Sequence, residues 1–327
     1  MMMEELISLL EHRAYKKMYQ KDKMTLGFSL PTAKMSKTPI MENQLQLARK
    51  IEDFGFAALW LRDVTIQNLN IDDNGQMYDL WIYLTYLAAH TKHIALGTSS
   101  VVLPLRHPVR VAKEATSIDR LFPERLIMGV ASGDRDKDFL ALGVSQEKSG
   151  VLFRENYQIL DRLLKEENPT IQSNVGVING NDMKLIPKPV SFIPMMASGF
   201  SRQSIEWIAE NGDGWIQYPR SLEQQRRLIH DYRTLAELKA PGVFKPFTQT
   251  LFIDLSENPD QVPINIPLGY HLGRNYLLEL LYQFQAIGVN HLAFVLYFAQ
   301  RPAEEIIQEL GEEILPYFPT HELTAKE

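Results

Sequence analysis

The chain has 327 residues, 45% of them hydrophobic, with 34 Lys and Arg against 40 Asp and Glu, a formal charge of −6, and no cysteine. Zero cysteine excludes disulfides, Cys-ligated zinc, iron–sulfur clusters and a thiol nucleophile. Basic residues scattered under a negative net charge leave no electrostatic footprint for nucleic acid or an anionic membrane, and the length suits two average domains or one α/β barrel with insertions.

Within residues 1–23, Leu6, Leu9, Leu10, Ala14 and Met18 recur at helical spacing among charged residues. This predicts an amphipathic helical extension ahead of a main domain at 24–327. The segment lacks the uninterrupted apolar core of a secretory signal, and the apolar runs fall short of the roughly 20 residues of a membrane span, so a cytoplasmic location is expected. Residues 24–30 (MTLGFSL) read as a buried strand. Thr38-Pro39 offers an N-cap and first-turn proline for a helix carrying Leu47, Ala48, Ile51 and Phe54 on one face and ending at Gly55. A second strand at 57–61 closes on Arg62-Asp63, an aromatic-rich helix follows at 78–90, and a third strand at 93–97. Pro108 opens the next helix, and Phe122-Pro123-Glu124 turns into a fourth strand at 126–130.

Strand starts near residues 26, 57, 94 and 126 recur at the interval of successive βα units. Further strands are predicted at 192–196, 214–217, 247–254 and 291–298, with helices at 203–211 and 222–239 between them. Eight strands in a βα series argue for closure into one (β/α)8 TIM barrel rather than an open sheet. The double-length gap after the fourth βα unit is read as an inserted β-hairpin turning at Asn179-Gly180-Asn181, ahead of Leu185-Ile186. Residues 256–273, rich in Pro and Gly, read as a long lid-like loop before the last helix.

Active sites of this fold lie at the carboxyl ends of the strands. Those ends read Ser29-Leu30-Pro31, Arg62-Asp63, Thr98-Ser99-Ser100, Ala131-Ser132-Gly133-Asp134, Ser198-Gly199, Gln217-Tyr218 and Asp254. No lysine stands there for a Schiff base, and no His-x-His or clustered carboxylates support a metal. The nucleophile elbow, the P-loop and the dinucleotide fingerprint are all missing. Ser198-Gly199-Phe200-Ser201-Arg202 ahead of a helix suits an anion cradle, with Arg202 adding a charge-assisted contact; an ordinary Ser-capped helix start is the other reading.

From His93 the sequence HIALGTSSVVLPLRHPVRVAKEATSIDRLFPERLIMGVASGD, followed by FLALGV, resembles the luciferase-like monooxygenase family. The shared pattern is a strand ending in Gly-Thr, then Leu-Pro-x-x-His-Pro, a helix, an Asp-Arg-Leu turn and a strand ending in Gly-x-x-x-Gly. KLIPKPVSFIPMMASGFSRQSIEWIAENGDGW agrees with the family's hairpin, fifth strand, phosphate loop and Asp-Gly-Trp strand, so the resemblance covers most of residues 25–215. It implies a barrel with a flavin across its mouth and a monooxygenase using reduced FMN and O2 on a small-molecule substrate. A separate flavin reductase and a homo-oligomer are further expectations. Hydride transfer with a deazaflavin coenzyme, and a flavin-binding protein with little turnover, are the alternatives.

Carried over by position, the resemblance puts Thr98 beside the flavin ring, with Ser132 and Gly133 flanking the cofactor. Ser198, Gly199, Phe200 and Arg202 surround its phosphate, Trp215 and Ile216 approach from the sixth strand, and Gly27 and Phe28 form a wall. Arg62, Asp63, Arg106 and His107 are the candidate catalytic groups. Arg62 and Arg106 are read either as positive charges for an anionic flavin or carboxylate, or as members of salt bridges, and His107 either as catalytic or as a structural hydrogen-bonder. The reactive cysteine of bacterial luciferase falls at Ala131, and its histidine after the second strand falls at Asp63-Val64. Both departures argue against light emission and leave flavin binding untouched.

Overall fold

Alternation along the strands sorts side chains between two layers. Strand β1 (Thr25–Leu30) sends Leu26, Phe28 and Leu30 into the layer packed under the helices, while Thr25 and Gly27 face the barrel interior. The computed structural model describes residues 12–32, 41, 43–66, 68 and 78–321. In chain order β1 is preceded by α1 (Arg13–Met18) and followed by α2 (Gln44–Phe54), β2 (Ala58–Leu61), α3 (Leu80–His90), β3 (Ala95–Val102), α4 (Pro108–Leu121) and β4 (Leu126–Ala131). Next come α5 (Asp136–Ala141), α6 (Ser149–Lys165), the β5–β6 hairpin (Ile171–Ser173, Gly176–Ile178), β7 (Met195–Ser198), α7 (Ile205–Asn211), β8 (Trp215–Gln217) and α8 (Leu222–Lys239). The chain ends with β9 (Phe247–Leu255), β10 (Ile264–Ile266), β11 (Gly269–Leu272), α9 (Arg274–Ala286), β12 (His291–Val295) and α10 (Ala303–Glu309).

The parallel order β12-β1-β2-β3-β4-β7-β8-β9 closes because β9 pairs with both β8 and β12. This is the expected eight-stranded (β/α)8 barrel. No helix among the described residues is long and apolar enough to cross a membrane.

Two local expectations are corrected, and a third is left untested. The inserted hairpin turns at residues 174–175, not at Asn179-Gly180-Asn181. Asn179 uses its own side chain, accepting from the Asn181 N–H at 3.1 Å, so it builds an Asx-type turn after the hairpin instead of linking two strands. Residues 256–273 are not a lid-like loop, because β11 adds to β9 in parallel and β10 folds back on it. Asp254 holds that ribbon, accepting from His271 Nδ1 at 2.8 Å and from the Gln300 N–H at 2.9 Å. Helix α2 begins at Gln44 after Asn43, and the proposed start at Thr38-Pro39 lies outside the described residues.

Leu6, Leu9 and Leu10 also lie outside the described residues, but the end of the N-terminal segment is defined. Helix α1 stops up the amino end of the barrel, with Ala14, Tyr15, Met18 and Tyr19 buried against Ala58, Trp60, Ala95, Ile127, Met196 and Ala293. A polar chain runs through this apolar plug. Trp60 Nε1–H donates to His291 Nε2 at 2.9 Å, His291 Nδ1 meets Thr25 Oγ1 at 2.8 Å, and Thr25 donates to the Met18 carbonyl at 2.9 Å. The indole donor leaves His291 with its proton on Nδ1, a neutral tautomer, and burial lowers its pKa to about 3. Gly27 is required by this pair, since a Cβ there would lie 2.5 Å from the Ala58 carbonyl oxygen and 3.0 Å from the His291 ring.

Candidate active site

A cleft of about 440 Å³ opens at the carboxyl ends of the strands, and it is lined from β2, β3, β4, β7, β8 and β9. Strand β3 shapes its floor. The β3–β4 register shifts between Thr98 and Val101, and this bulge sets Ser99 and Ser100, joined by a cis peptide, in the cleft wall. Thr98 itself is fully buried below, its hydroxyl donating to the Gly129 carbonyl at 2.8 Å.

The turn after β7 carries the most distinctive geometry. Gly199, Ser201 and Arg202 all have left-handed φ (+58°, +48° and +55°), a conformation that costs a non-glycine residue on the order of 1 kcal/mol or more. A dense set of hydrogen bonds holds it. Ser201 Oγ donates to the Ser198 carbonyl at 2.7 Å and accepts from the Ser132 N–H at 3.2 Å, tying the ends of β7 and β4 together. Gln203 Nε2 donates to the Ser201 and Gly150 carbonyls, Trp215 Nε1 donates to the Gly199 carbonyl at 2.6 Å, and the Ser100 and Ser198 hydroxyls bond each other. Among the described residues, the backbone N–H groups of Phe200, Ser201 and Arg202 find no protein acceptor. Successive N–H groups in such a turn form an anion-binding concavity.

Of the anticipated cofactor residues, Ser132, Gly133, Ser198, Gly199, Phe200, Arg202 and Ile216 line the cleft. Four others are placed elsewhere. Gly27 packs in the barrel interior, and Phe28 points outward onto Phe56 and Phe294 rather than forming a wall. Thr98 lies under the floor, and Trp215 faces the helices against Tyr232 and Phe247, reaching the turn from behind through its indole N–H and an edge-on contact of its ring with Phe200 at 5.3 Å.

The four catalytic candidates also divide. Arg62 and Asp63 line the cleft, whereas Arg106 and His107 do not. Asp63 accepts from Arg106 Nε at 2.8 Å, Arg106 Nη2 at 2.7 Å and the Val102 N–H at 3.2 Å, and Arg106 also reaches Asp79 at 3.2 Å. Burial works against the charge of Arg106, but the two carboxylates outweigh it and raise its pKa above the ordinary value. His107 caps α4, accepting from the Val109 N–H at 3.3 Å, while its Nε2 bonds the Val175 carbonyl at 3.0 Å. The salt-bridge and structural readings are therefore the ones the geometry of Arg106 and His107 matches.

Sequence reasoning passed over Val102, Arg135, Gln146 and Thr250, all of which line the cleft. Thr250 stood in the inward register of β9, a signal that alternation along Phe247–Leu255 already carried. Two buried polar groups in the lining lack protein partners, Thr250 Oγ1 and Gln217 Nε2, a condition that buried groups normally resolve with a ligand or water. Desolvation and the Asp134 carboxylate raise the pKa of Tyr218 at the rim, with Arg62 opposing them.

Comparison with known proteins gives this geometry a context. The chain is 26% identical over 179 residues to an alkanal monooxygenase alpha chain of Photorhabdus luminescens, covering 54% of this chain and 48% of that one. The corresponding chain of Aliivibrio fischeri is 27% identical over 190 residues, covering 57% and 52%. The chain thus spans about half the length of the curated relatives it matches. In fold it resembles monooxygenase RslO1 from Streptomyces bottropensis (TM-score 0.76, 17% identity, 90% of this chain and 100% of that one). An F420-dependent secondary alcohol dehydrogenase (TM-score 0.72, 15% identity, 89% and 98%) is similar in the same way. So is the FMN-bound oxygenating constituent of 3,6-diketocamphane monooxygenase from Pseudomonas putida (TM-score 0.70, 13% identity, 91% and 100%). The sequence pattern of one family spans residues 24–261, from the first barrel strand past the ninth and so through every strand that lines the cleft, and the chain belongs to that family, the luciferase-like monooxygenases.

Proposed function

We propose that the protein is a flavin-dependent monooxygenase that uses reduced FMN and O2 to oxygenate a small organic substrate. The observation that carries this reading is the turn at residues 198–202. Its unpartnered N–H groups and the Arg202 guanidinium form a donor set of the kind a phosphate monoester takes. The residues present fit the cofactor. Phe200, Ser201 and Arg202 would hold the phosphate, Ser132 and Gly133 would flank it from β4, and the partnerless groups of Thr250 and Gln217 offer hydrogen bonds deeper in the cleft.

Reduced FMN, when bound, supplies the electrons with which O2 is split, so that one oxygen atom enters the substrate and the other leaves as water. The chain itself contributes binding, orientation and a restricted approach for water. Val102, Ala131 and Ile216 line the cleft as apolar surface, and the α1 plug closes the barrel beneath it. A separate flavin reductase, a homo-oligomeric assembly and a cytoplasmic location belong to the same proposal, as does a helical extension at 1–23 preceding the barrel domain. Hydride transfer with a deazaflavin is the second reading, prompted by the barrel shared with the F420-dependent alcohol dehydrogenase.

Fluorescence titration with FMN, riboflavin and F420 tests both. FMN is expected to bind about 10- to 100-fold more tightly than riboflavin, because the cradle grips the phosphate that riboflavin lacks. Arg202→Ala should remove most of that preference and leave riboflavin binding unchanged. Binding of F420 but not FMN would favour the second reading, and binding of neither would defeat both.

A further inference from the structure

The turn at residues 198–202 has a back as well as a front. Its three partnerless donors, the N–H groups of Phe200, Ser201 and Arg202, each belong to a peptide whose carbonyl is held from outside the cleft lining. The Gly199 carbonyl accepts from Trp215 Nε1 at 2.6 Å, the Phe200 carbonyl from the Gln203 N–H at 2.8 Å, and the Ser201 carbonyl from Gln203 Nε2 at 3.0 Å. In a planar trans peptide the C=O and N–H point in opposite directions, so a carbonyl fixed behind the turn fixes the N–H in front of it.

Gln203 is itself held in one orientation. It is 8% exposed, and Arg154 on α6 donates from Nε to its Oε1 at 2.9 Å while lying over the Trp207 ring, 5.8 Å from the centroid. A guanidinium offers donors only, so the amide oxygen faces Arg154 and the amide nitrogen turns its two hydrogens to the carbonyls of Ser201 and of Gly150 in the first turn of α6. The turn is thereby strapped to α6 at a point where no side chain fits, since a Cβ on Gly150 would lie 2.9 Å from Arg202 Cβ. Such support is needed because Ser201 and Arg202 hold left-handed φ without being glycine. Relaxation of either toward ordinary φ would swing the adjoining N–H groups apart.

Resting on the reading of this turn as a phosphate site, we propose that Gln203 and Trp215 are positioning residues that hold the three N–H donors converged before any anion arrives, with Arg154 orienting the Gln203 amide. None of the three lines the cleft. They act through the directions of three peptide groups, so they govern affinity for a phosphate monoester and not for the ring that it carries.

The readout is the preference for FMN over riboflavin, because the two ligands differ only in the phosphate and a general loss of stability weakens both alike. Gln203→Leu is expected to lower the wild-type preference by about 5-fold or more while riboflavin affinity stays within about twofold. Trp215→Phe, which keeps an aromatic ring and loses the N–H, should lower it about 3-fold, and Arg154→Met about 2-fold. Arg154→Met changes an exposed side chain and reads the same ratio if Gln203→Leu does not fold. Inorganic phosphate, titrated calorimetrically, should bind the wild type and bind Gln203→Leu about 5-fold or more weakly. An FMN preference unchanged in the variants, or equal losses of FMN and riboflavin affinity, would overturn the proposal and leave flavin binding in place. Equal affinity of the wild type for FMN and riboflavin would remove the phosphate site and the proposal with it. If the wild type binds neither flavin but binds inorganic phosphate in a Gln203-dependent way, the flavin reading falls and the positioned anion site stands; if it binds no phosphate either, both fall.

Discussion

Between pH 6.5 and 4 the protein is expected to lose stability at about 1.4 kcal/mol per pH unit or more, and the α1 plug is where the loss originates. Burial lowers the pKa of His12 to about 3, of His291 to about 3 and of His321 to about 4, with the nearby cations Arg13 and Lys23 adding to the effect at His12 and His321. All three touch the plug. His12 Nδ1 caps α1 by accepting from the Tyr15 N–H at 3.2 Å, His291 reaches Met18 through Thr25, and the His321 N–H donates to the Lys17 carbonyl at 3.0 Å.

A histidine held neutral in the fold takes up a proton in the unfolded chain as pH drops below about 6.5, so the unfolded state binds more protons and stability falls. That contribution is intact above pH 6.5 and lost progressively toward the folded pKa values. Asp213 acts in the opposite sense. Burial raises its pKa to about 6, so between pH 6 and about 4 its protonation favours the fold and offsets one histidine. His12 and His291 less Asp213 leave a net of one group; His321 adds to it, and Glu114 and Asp119, whose pKa values burial also raises, offset part of that addition. Thermal unfolding at half-unit steps from pH 7 to 4 reads the slope. His12→Asn keeps a capping acceptor without the titrating ring and should reduce the slope by about 1.4 kcal/mol per pH unit. A flat profile, or a slope unchanged by that substitution, would remove the plug histidines from the account.

The barrel was legible in the sequence because its signals are local. Apolar runs of four to six residues, first-turn prolines and N-caps recur at βα intervals, and the strands appear where those runs lie. What the runs do not encode is the direction of each side chain. Phe28 was expected at the flavin and instead points to the helices, because the register of β1 against β2 puts Gly27, not Phe28, on the inner face. Non-local pairing was equally hidden. Residues 264–272 look like loop because they are short and interrupted by Pro and Gly, and they become strands only because the β9 edge, with Asp254 to pin it, is available beside them. The cleft was read best where it is made of backbone, at Ser198–Arg202 and Ser132-Gly133, since small residues at strand ends advertise themselves. It was read worst where charge pairing decides the outcome, as at Arg106, whose role depends on partners 27 and 43 residues away.

That pairing supports the second large effect. Asp63→Ala is expected to cost about 3 kcal/mol of stability, and Arg106→Ala a similar amount, because either leaves a charged partner in a largely desolvated setting. Asp63 is 5% exposed as a side chain and Arg106 22%, which argues for the lower end of the range for buried pairs. The pair closes the mouth between β2 and β3: the Asp63 carboxylate also accepts from the Val102 N–H just beyond the Ser99–Ser100 bulge, and Asp79, the second partner of Arg106, caps α3 through the Trp81 and Ile82 N–H groups. The double variant should therefore be much less damaged than the sum of the singles, with a coupling of about 2 kcal/mol in a thermal or urea double-mutant cycle. Additive losses would mean that the two groups do not act as a unit. A role for Asp63 in proton transfer makes a different prediction, that Asp63→Asn folds normally and abolishes turnover. The clamp predicts that Asp63→Asn costs about half the stability that Asp63→Ala costs, while FMN affinity, set on the far side of the cleft by the Ser198–Arg202 turn, holds.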